Sequence, residues 1–412
     1  MHALLVMSTN EKKYNIICLS NQLWDFPFWT NKKHVMSRLA GLGHKALFVD
    51  PPINIGFVFL RQLYRGYWSF LRILTQTKSD KLRVLIYSPL NLVPFSKITT
   101  FLHILRIRIL TRLFFNHDNK TVLWVYHVQI QDLSVYLRNL KYDVLVYDCV
   151  DNYSAFPKQG KIASVYTSDV EGQEKLISES ADIVFASAPG LVEKLRKYNQ
   201  NVFFAPNVGD YEKFKNSKKN KFNLPNDLKD IPRPVIAFTG AHDEYKFDVE
   251  LFNKLALDHP NYSFVLIGPM ALRDKEGSIE KIGINNLKNV YFLGARPFSI
   301  IQDYFAGFDV YIIPYKLNDY TVGGCFPIKF HDALAAGLPT VVTDLPSYTP
   351  FESVCYISKT YDEFSNNIEK ALEEDSPMKV KQRQEVAKVN NWDNKVADML
   401  KVLDNFMSME KK

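Results

Sequence analysis

At 412 residues the chain is long enough for two domains of ordinary size, each with its own core. Hydrophobic residues make up 47% and charged residues 23%, a balance that fits a globular protein and excludes general disorder. The net charge of +7 is modest, and no run approaches the roughly 18 uncharged apolar residues that a membrane-spanning helix needs.

The opening MHALLVMSTNEKK has an apolar run too short for a signal peptide and no basic residue before it, so a short flap is expected there. Cysteines 18, 149, 325 and 355 are scattered, with no C-x-x-C pair, which favours reduced thiols and a cytoplasmic location. Tyr14 to Leu19 reads as a buried strand, followed by the polar and aromatic loop SNQLWDFPFWTNKKH, a helix stopped by Gly43, and a second strand from Ala46 to Asp50. That order is the first half of a doubly wound α/β domain, whose first loop lies at the carboxyl edge of the sheet where ligands bind. The loop has no G-x-G-x-x-G, so a dinucleotide cofactor is not expected. Trp24, Asp25, Trp29, Lys32, Lys33 and His34 are candidates to line an acceptor pocket, against the bland reading that each is merely packed.

Residues 57–74 and 98–115 are apolar, basic segments of helical length. Between Arg61 and Arg112 there are ten Lys or Arg and a single acid, Asp80. An interfacial helix resting on an acidic membrane has this composition, and so does a core helix with solvated arginines. No nucleic-acid-binding pattern accompanies the charge.

Short strands follow at Val122–Tyr126, Val144–Tyr147, Ile183–Ala186 and Val202–Ala205. Asp148 and Asp151 stand just past a strand end, where two carboxylates three apart can serve as a general base and its support, bind a metal, or cap a helix. A metal is not expected: D-C-V-D is not D-x-D, and no His or Cys cluster supplies further ligands. His127, also past a strand, is a further cleft candidate.

From 210 to 234 the pattern collapses into a Lys-, Asn- and Pro-rich stretch, read as a linker between an N-terminal domain (1–209) and a C-terminal one (235–390). In the latter, Gly240, Gly268 and Gly294 each follow a strand directly and leave room for a ligand against the backbone. Arg296 is placed to reach a base or phosphate, and Tyr315 and Tyr320 to border a sugar. A helix is expected from Phe298 to Gly307.

Residues 308–344 then read as strand, loop, helix, strand, with the helix from Pro327 to Ala336. Lys329 and Asp332 are three apart and share one face near its amino end, where free N–H groups and the dipole favour an anion. Gly323-Gly324 is expected to let the preceding backbone approach that anion. The tail (391–412) has the apolar stripe of a final helix.

The run PIKFHDALAAGLPTVVTD resembles the nucleotide-sugar signature of GT-B glycosyltransferases, P-x-K-ϕ-ϕ-E-ϕ-ϕ-A-x-G-x-P-V-V, and most nearly that of bacterial polysaccharide transferases of the teichuronic-acid and xanthan-glucuronosyl type. The resemblance implies two Rossmann-like parallel-sheet domains facing a cleft. It puts Lys329 on a phosphate, Asp332 on a ribose, and a base among the acids of YDCVDNYSAF, with Asp151 first and Asp148 its competitor. The segment AHDEYKFD also resembles the relatives' donor-closing loop, making His242 and Lys246 candidates, and the final helix is expected to cross back onto the first domain. Relatives with an E-x7-E motif carry a further acid eight residues before Asp332; here that position is Gly324, against the retaining chemistry associated with that pair. The expected activity is transfer of a sugar from a nucleoside diphosphate, UDP favoured, to a polysaccharide or lipid-linked saccharide at the cytosolic membrane face during cell-envelope polysaccharide synthesis. No metal or further cofactor is expected. A GT-B epimerase and a non-catalytic nucleotide-sugar-binding protein are the alternatives, because fold alone does not fix chemistry.

Overall fold

The computed structural model describes residues 12–26, 28–64, 66, 68–91, 97–126, 128–155, 169–220, 224–269 and 287–409. Its strands are β1 (Asn15–Leu19), β2 (Lys45–Val49), β3 (Ile53–Asn54), β4 (Thr77–Ser79), β5 (Val84–Tyr87), β6 (Leu90–Asn91), β7 (Thr121–Val125), β8 (Val144–Cys149), β9 (Ile183–Ala186) and β10 (Val202–Phe204), then β11 (Val235–Thr239), β12 (Ser263–Ile267), β13 (Val290–Gly294), β14 (Val310–Ile313), β15 (Thr340–Thr343) and β16 (Tyr356–Ser358).

These build two main sheets. The first has the order β10-β9-β8-β7-β1-β2-β5-β4 and the second β13-β12-β11-β14-β15-β16; β3 and β6 form a separate two-stranded ribbon. Every pairing in the main sheets is parallel except the edge pair of β4 with β5. Parallel strands are covered on both faces by helices, which is why β1 (NIICL), β11 (VIAFT) and β12 (SFVLI) are buried along their whole length. The chain order reverses between β1 and β7 in the first sheet and between β11 and β14 in the second. Loops leaving the carboxyl ends there splay apart and open a crevice.

Several local expectations needed correction. Residues 57–74 are two short helices, Phe57–Tyr64 and Phe70–Thr75, and the chain then returns as β4. The helix expected from Phe298 covers only Ile301–Phe305. Within the stretch read as a linker, the turns Tyr211–Phe214 and Ser217–Asn220 form among the described residues, and Phe214 and Leu228 are buried in the core of the second sheet. An apolar side chain every several residues is enough to anchor a segment that lacks periodicity.

The Lys97–Phe114 helix carries apolar residues on its outward face as well as on its buried one. Thr99, Thr100 and His103 face the protein beside Ile104, Ile107 and Leu110. Ile98, Phe101, Leu102, Leu105, Ile109 and Leu113 face outward, from 42% exposed at Ile109 to 79% at Leu113.

The final helix, Trp392–Met409, buries Trp392, Val396, Met399, Leu403 and Met407 in the core of the first sheet. Trp392 stacks on His34 with ring centres 4.4 Å apart, and Lys395 donates to the Ala205 carbonyl at 2.9 Å. No helix among the described residues is long and apolar enough to cross a membrane.

Candidate functional site

Where the two reversal points meet lies a cavity of about 380 Å³, lined by both halves of the chain. Its C-terminal wall is built from strand ends. Gly240 (φ +128°) and Gly268 (φ +146°) occupy a backbone region that other residues rarely enter. A Cβ on Gly240 would lie 2.3 Å from the Lys329 Nζ, and one on Gly268 would lie 1.9 Å from the Gly240 carbonyl oxygen. Both glycines line the cavity.

The helix at this wall spans Ile328–Ala335, with Pro327 as its extended N-cap, one residue later than expected. Pro327 offers no capping side chain and the first turn holds no acid, so the positive end of the helix is open toward the cavity. Lys329 and Asp332 both line the cavity. The Lys329 ammonium lies 4.2 Å from the centre of the Phe238 ring and donates to the Tyr315 hydroxyl at 3.0 Å. Burial, aided by the charge of Lys246, lowers its pKa to about 7. Asp332 accepts the backbone N–H of Asp210 at 2.8 Å, and burial raises its pKa to about 8. Lys246, paired with Asp243 at 2.5 Å, adds a further cation to the wall. Arg296 lines the cavity too, but its guanidinium is held by Asp227 and by the Tyr304 hydroxyl.

The N-terminal wall comprises Phe26, Phe28, Trp29 and Thr30 of the loop after β1, Asn31 and Lys32 of the helix Asn31–Gly41, and Val150 and Asp151 beyond β8. The Asp151 carboxylate accepts a hydrogen bond at 3.0 Å from the hydroxyl of Tyr320, which comes from the opposite wall. Burial raises the Asp151 pKa, while Lys32, Lys246 and the Tyr320 bond pull the other way. Two further contacts cross the cleft: Trp29 stacks on Phe298 at 5.3 Å, and Asn207 donates to the Phe326 carbonyl at 2.7 Å.

The cavity thus brings together Trp29, Lys32, Asp151, Gly240, Lys246, Gly268, Arg296, Tyr315, Tyr320, Lys329 and Asp332. Other candidates are placed elsewhere. Asp148 is 1% exposed, absent from the lining, and accepts from the Trp124 indole at 3.2 Å, so of the two acids only Asp151 meets the cavity. Trp24 is packed edge-on against Phe48 with its indole on Asp80, and His34 is sandwiched against Trp392; neither lines the cavity. His242 is fully buried among Phe238, Phe247 and Phe292, and burial lowers its pKa to about 4. Gly294 takes φ +72° but does not line the cavity. His127 lies outside the described residues.

Gly323 and Gly324 serve a different purpose from the one expected. They close a short helix, Asp319–Gly324, and let it press against the N-terminal half: a Cβ on Gly190 would sit 2.2 Å from the Gly323 carbonyl oxygen, and one on Gly324 would sit 2.8 Å from the Asn152 Cβ. That helix lies where the sequence reading places a loop, and its capping residues are the signal that marks it. Asn318 accepts from the Tyr320 and Thr321 N–H groups while the Thr321 hydroxyl accepts from the Asn318 N–H, a capping box of the N-x-x-T kind. Asn207 and Phe298 were missed, because a lone Asn past a strand and a lone Phe in a turn carry no local sign of facing a second domain.

Residues 233–374 match the family described as Glycosyl transferases group 1. Over 261 residues the chain is 26% identical to TuaH of Bacillus subtilis (strain 168), described as a teichuronic acid biosynthesis glycosyltransferase; the match takes in 61% of this chain and 64% of that one, a little under two thirds of the relative. Among solved structures, sucrose-phosphate synthase from Thermosynechococcus elongatus superposes with a TM-score of 0.68 at 15% identity, over 96% of this chain and 100% of that one. Anabaena HepE in complex with UDP does so with a TM-score of 0.63 at 14% identity, over 95% and 100%.

Proposed function

We propose that this chain, which carries a glycosyl transferases group 1 domain on a GT-B frame, transfers a sugar from a nucleoside diphosphate to a saccharide or lipid-linked saccharide. The observation that carries the reading is the open amino end of the Ile328–Ala335 helix, aimed with Lys329 and Asp332 into a cavity shared by two reversal points. A diphosphate at that end meets the dipole and the Lys329 ammonium, and the Asp332 carboxyl accepts from ribose hydroxyls. HepE, bound to UDP in its solved structure, supports a nucleotide at this frame, and UDP is the favoured donor nucleotide.

In the proposed reaction the bond between the anomeric carbon and the diphosphate oxygen breaks as the acceptor oxygen bonds to that carbon. The acceptor's proton passes to Asp151, and the negative charge gathering on the leaving diphosphate is held by Lys329 and the helix end. With the base opposite the leaving group, direct displacement inverts the sugar. The contacts from Tyr320 to Asp151 and from Trp29 to Phe298 hold the walls together and keep water from the donor.

The acceptor is proposed to arrive at the cytosolic face of a membrane. The outward apolar side of Lys97–Phe114, with exposed Arg108 and Arg112, suits an acidic lipid surface. A thermal-shift screen with UDP-, GDP- and dTDP-sugars tests the donor assignment, since a ligand that binds only the folded chain raises its melting temperature. The expected result is a shift with one nucleotide class that is lost in Lys329→Ala and Asp332→Ala. An unchanged shift in both variants would remove the site.

A further inference from the structure

The wall facing Lys329 holds a second cation with no assigned task. Lys32 is 6% exposed and lines the cavity from the first turn of Asn31–Gly41. Among the described residues its ammonium has no hydrogen-bond or ion-pair partner, and it lies 5.7 Å from the centre of the Tyr126 ring. Asp151 and Asp148 are the carboxylates whose field it feels. The contrast with buried Lys395 and half-buried Lys329 is informative, because Lys395 donates to a carbonyl and Lys329 to a hydroxyl. A buried ammonium left without a partner is costly, so a persistent one has a use when an anion arrives.

The turn that carries Lys32 is independently prepared for an anion. Thr30, its N-cap, does not cap the helix with its side chain; the hydroxyl is turned to the Gln22 side chain instead. No acid stands in the first turn, and Thr30 and Asn31 line the cavity beside Lys32. The positive end of this helix therefore opens on the same space as the ammonium.

We propose that this turn is a second anion subsite, and that the acceptor is anchored there through a carboxylate or phosphate it carries while its hydroxyl is presented to Asp151. The inference rests on the reading of the opposite wall as the donor site. The placement is self-orienting: the Asp151 carboxylate repels the acceptor's charged end, so that end is driven to Lys32 and a neutral hydroxyl is left at the base. The enzyme thus has one anion site per substrate, on facing walls, and discriminates against neutral acceptors.

Calorimetry on the full chain saturated with UDP tests this with three probes that share one ring: glucose, glucuronate and glucose 6-phosphate. The expected result is that at least one charged probe binds ~10-fold more tightly than glucose, the worth of one charge-assisted hydrogen bond. Lys32→Met should abolish that preference and keep the UDP affinity of the wild type; Lys32→Gln serves the same purpose should the Met variant fail to fold. The two charged probes tell carboxylate from phosphate. Equal binding of glucose and both charged probes, or a preference that survives removal of the lysine, overturns the proposal. So does a loss of UDP affinity in Lys32→Met as large as in Lys329→Ala, which would make Lys32 part of the donor site. Failure of UDP to bind the wild type is a separate outcome and counts against the donor reading.

Discussion

The hydroxyl of Tyr320, on a short capped helix of the C-terminal half, donates at 3.0 Å to the carboxylate of Asp151, which stands beyond β8 in the N-terminal half. The acid proposed as the base is thus held by a residue of the opposite wall, the one proposed to bind the donor. On the proposed function, bringing the two walls together also sets the base.

That bond favours the ionised carboxyl, whereas burial, the larger influence, raises its pKa. The acid limb of kcat/KM should accordingly lie above the usual carboxylate range, with activity rising as Asp151 loses its proton. Tyr320→Phe removes a stabiliser of the charged form, so the limb should move to still higher pH while the plateau falls less than in Asp151→Asn. For the latter, a loss of about 10²–10⁴ in kcat is expected from removal of a general base. A Tyr320→Phe profile superimposable on the wild type would show that the bond does not tune the base.

Lys329 yields a prediction about protons. Burial and Lys246 lower its pKa to about 7, so the free protein loses this proton near neutrality, while a diphosphate beside it favours the charged form. UDP binding at pH 8 should therefore take up as much as about one proton, and affinity should fall between about pH 7 and 9. Calorimetry in two buffers of different ionisation heat measures the uptake. Lys329→Met should abolish it, and turnover should drop about 10²–10³-fold, the usual cost of losing one group that holds developing negative charge. Gly240→Ala should imitate the variant in part, because its Cβ would lie 2.3 Å from the Lys329 Nζ.

Much of this site was legible because its parts are local. Pro327, Lys329 and Asp332 lie in one strand-loop-helix-strand stretch, where spacing fixes which side chains share a face, and Gly240 and Gly268 each directly follow a strand of their own. The opposite wall was legible only as a set of candidates. Whether Trp24, His34 or Lys32 reaches the cavity depends on packing against Phe48, Trp392 and Tyr126, residues far along the chain. The same holds for Gly323 and Gly324, whose task is set by Gly190 and Asn152. Sequence spacing carries no information about such approaches.

Asp332 should show opposed effects on stability and binding. Its pKa is raised by burial from 3.8 to about 8, so its contribution to stability is present below the unfolded value and is lost as pH rises through the folded one. Asp332→Asn keeps an oxygen to accept the Asp210 N–H but removes the buried charge. The variant's melting temperature should therefore gain on the wild type as pH rises from about 4 to about 8, while above that range its UDP-induced shift shrinks with the loss of a charged acceptor for ribose hydroxyls. A variant that melts lower at every pH would indicate that the carboxylate is structurally required.

The last prediction concerns the Lys97–Phe114 helix, which is apolar on its outward face as well as on its buried one. Its inward Thr100 donates to Asp132 at 3.1 Å and His103 meets the Tyr136 hydroxyl at 3.1 Å, so polar residues on the buried side are satisfied rather than misplaced. The outward side leaves Ile98, Phe101, Leu102, Leu105, Ile109 and Leu113 in water, a contiguous apolar stripe of the kind that marks an interaction surface. Exposed Arg108 and Arg112 on the same helix favour a negatively charged partner over a neutral one. Vesicles containing phosphatidylglycerol should therefore carry the protein down on sedimentation, and pure phosphatidylcholine should do so less. Leu105→Glu with Ile109→Glu should abolish binding to both, because it removes the apolar contact. Arg108→Glu with Arg112→Glu should abolish chiefly the preference for the anionic lipid. None of these changes touches the cavity, so the UDP-induced melting shift should be that of the wild type in each. Sedimentation of every variant equal to that of the wild type would show that the stripe is not the membrane contact.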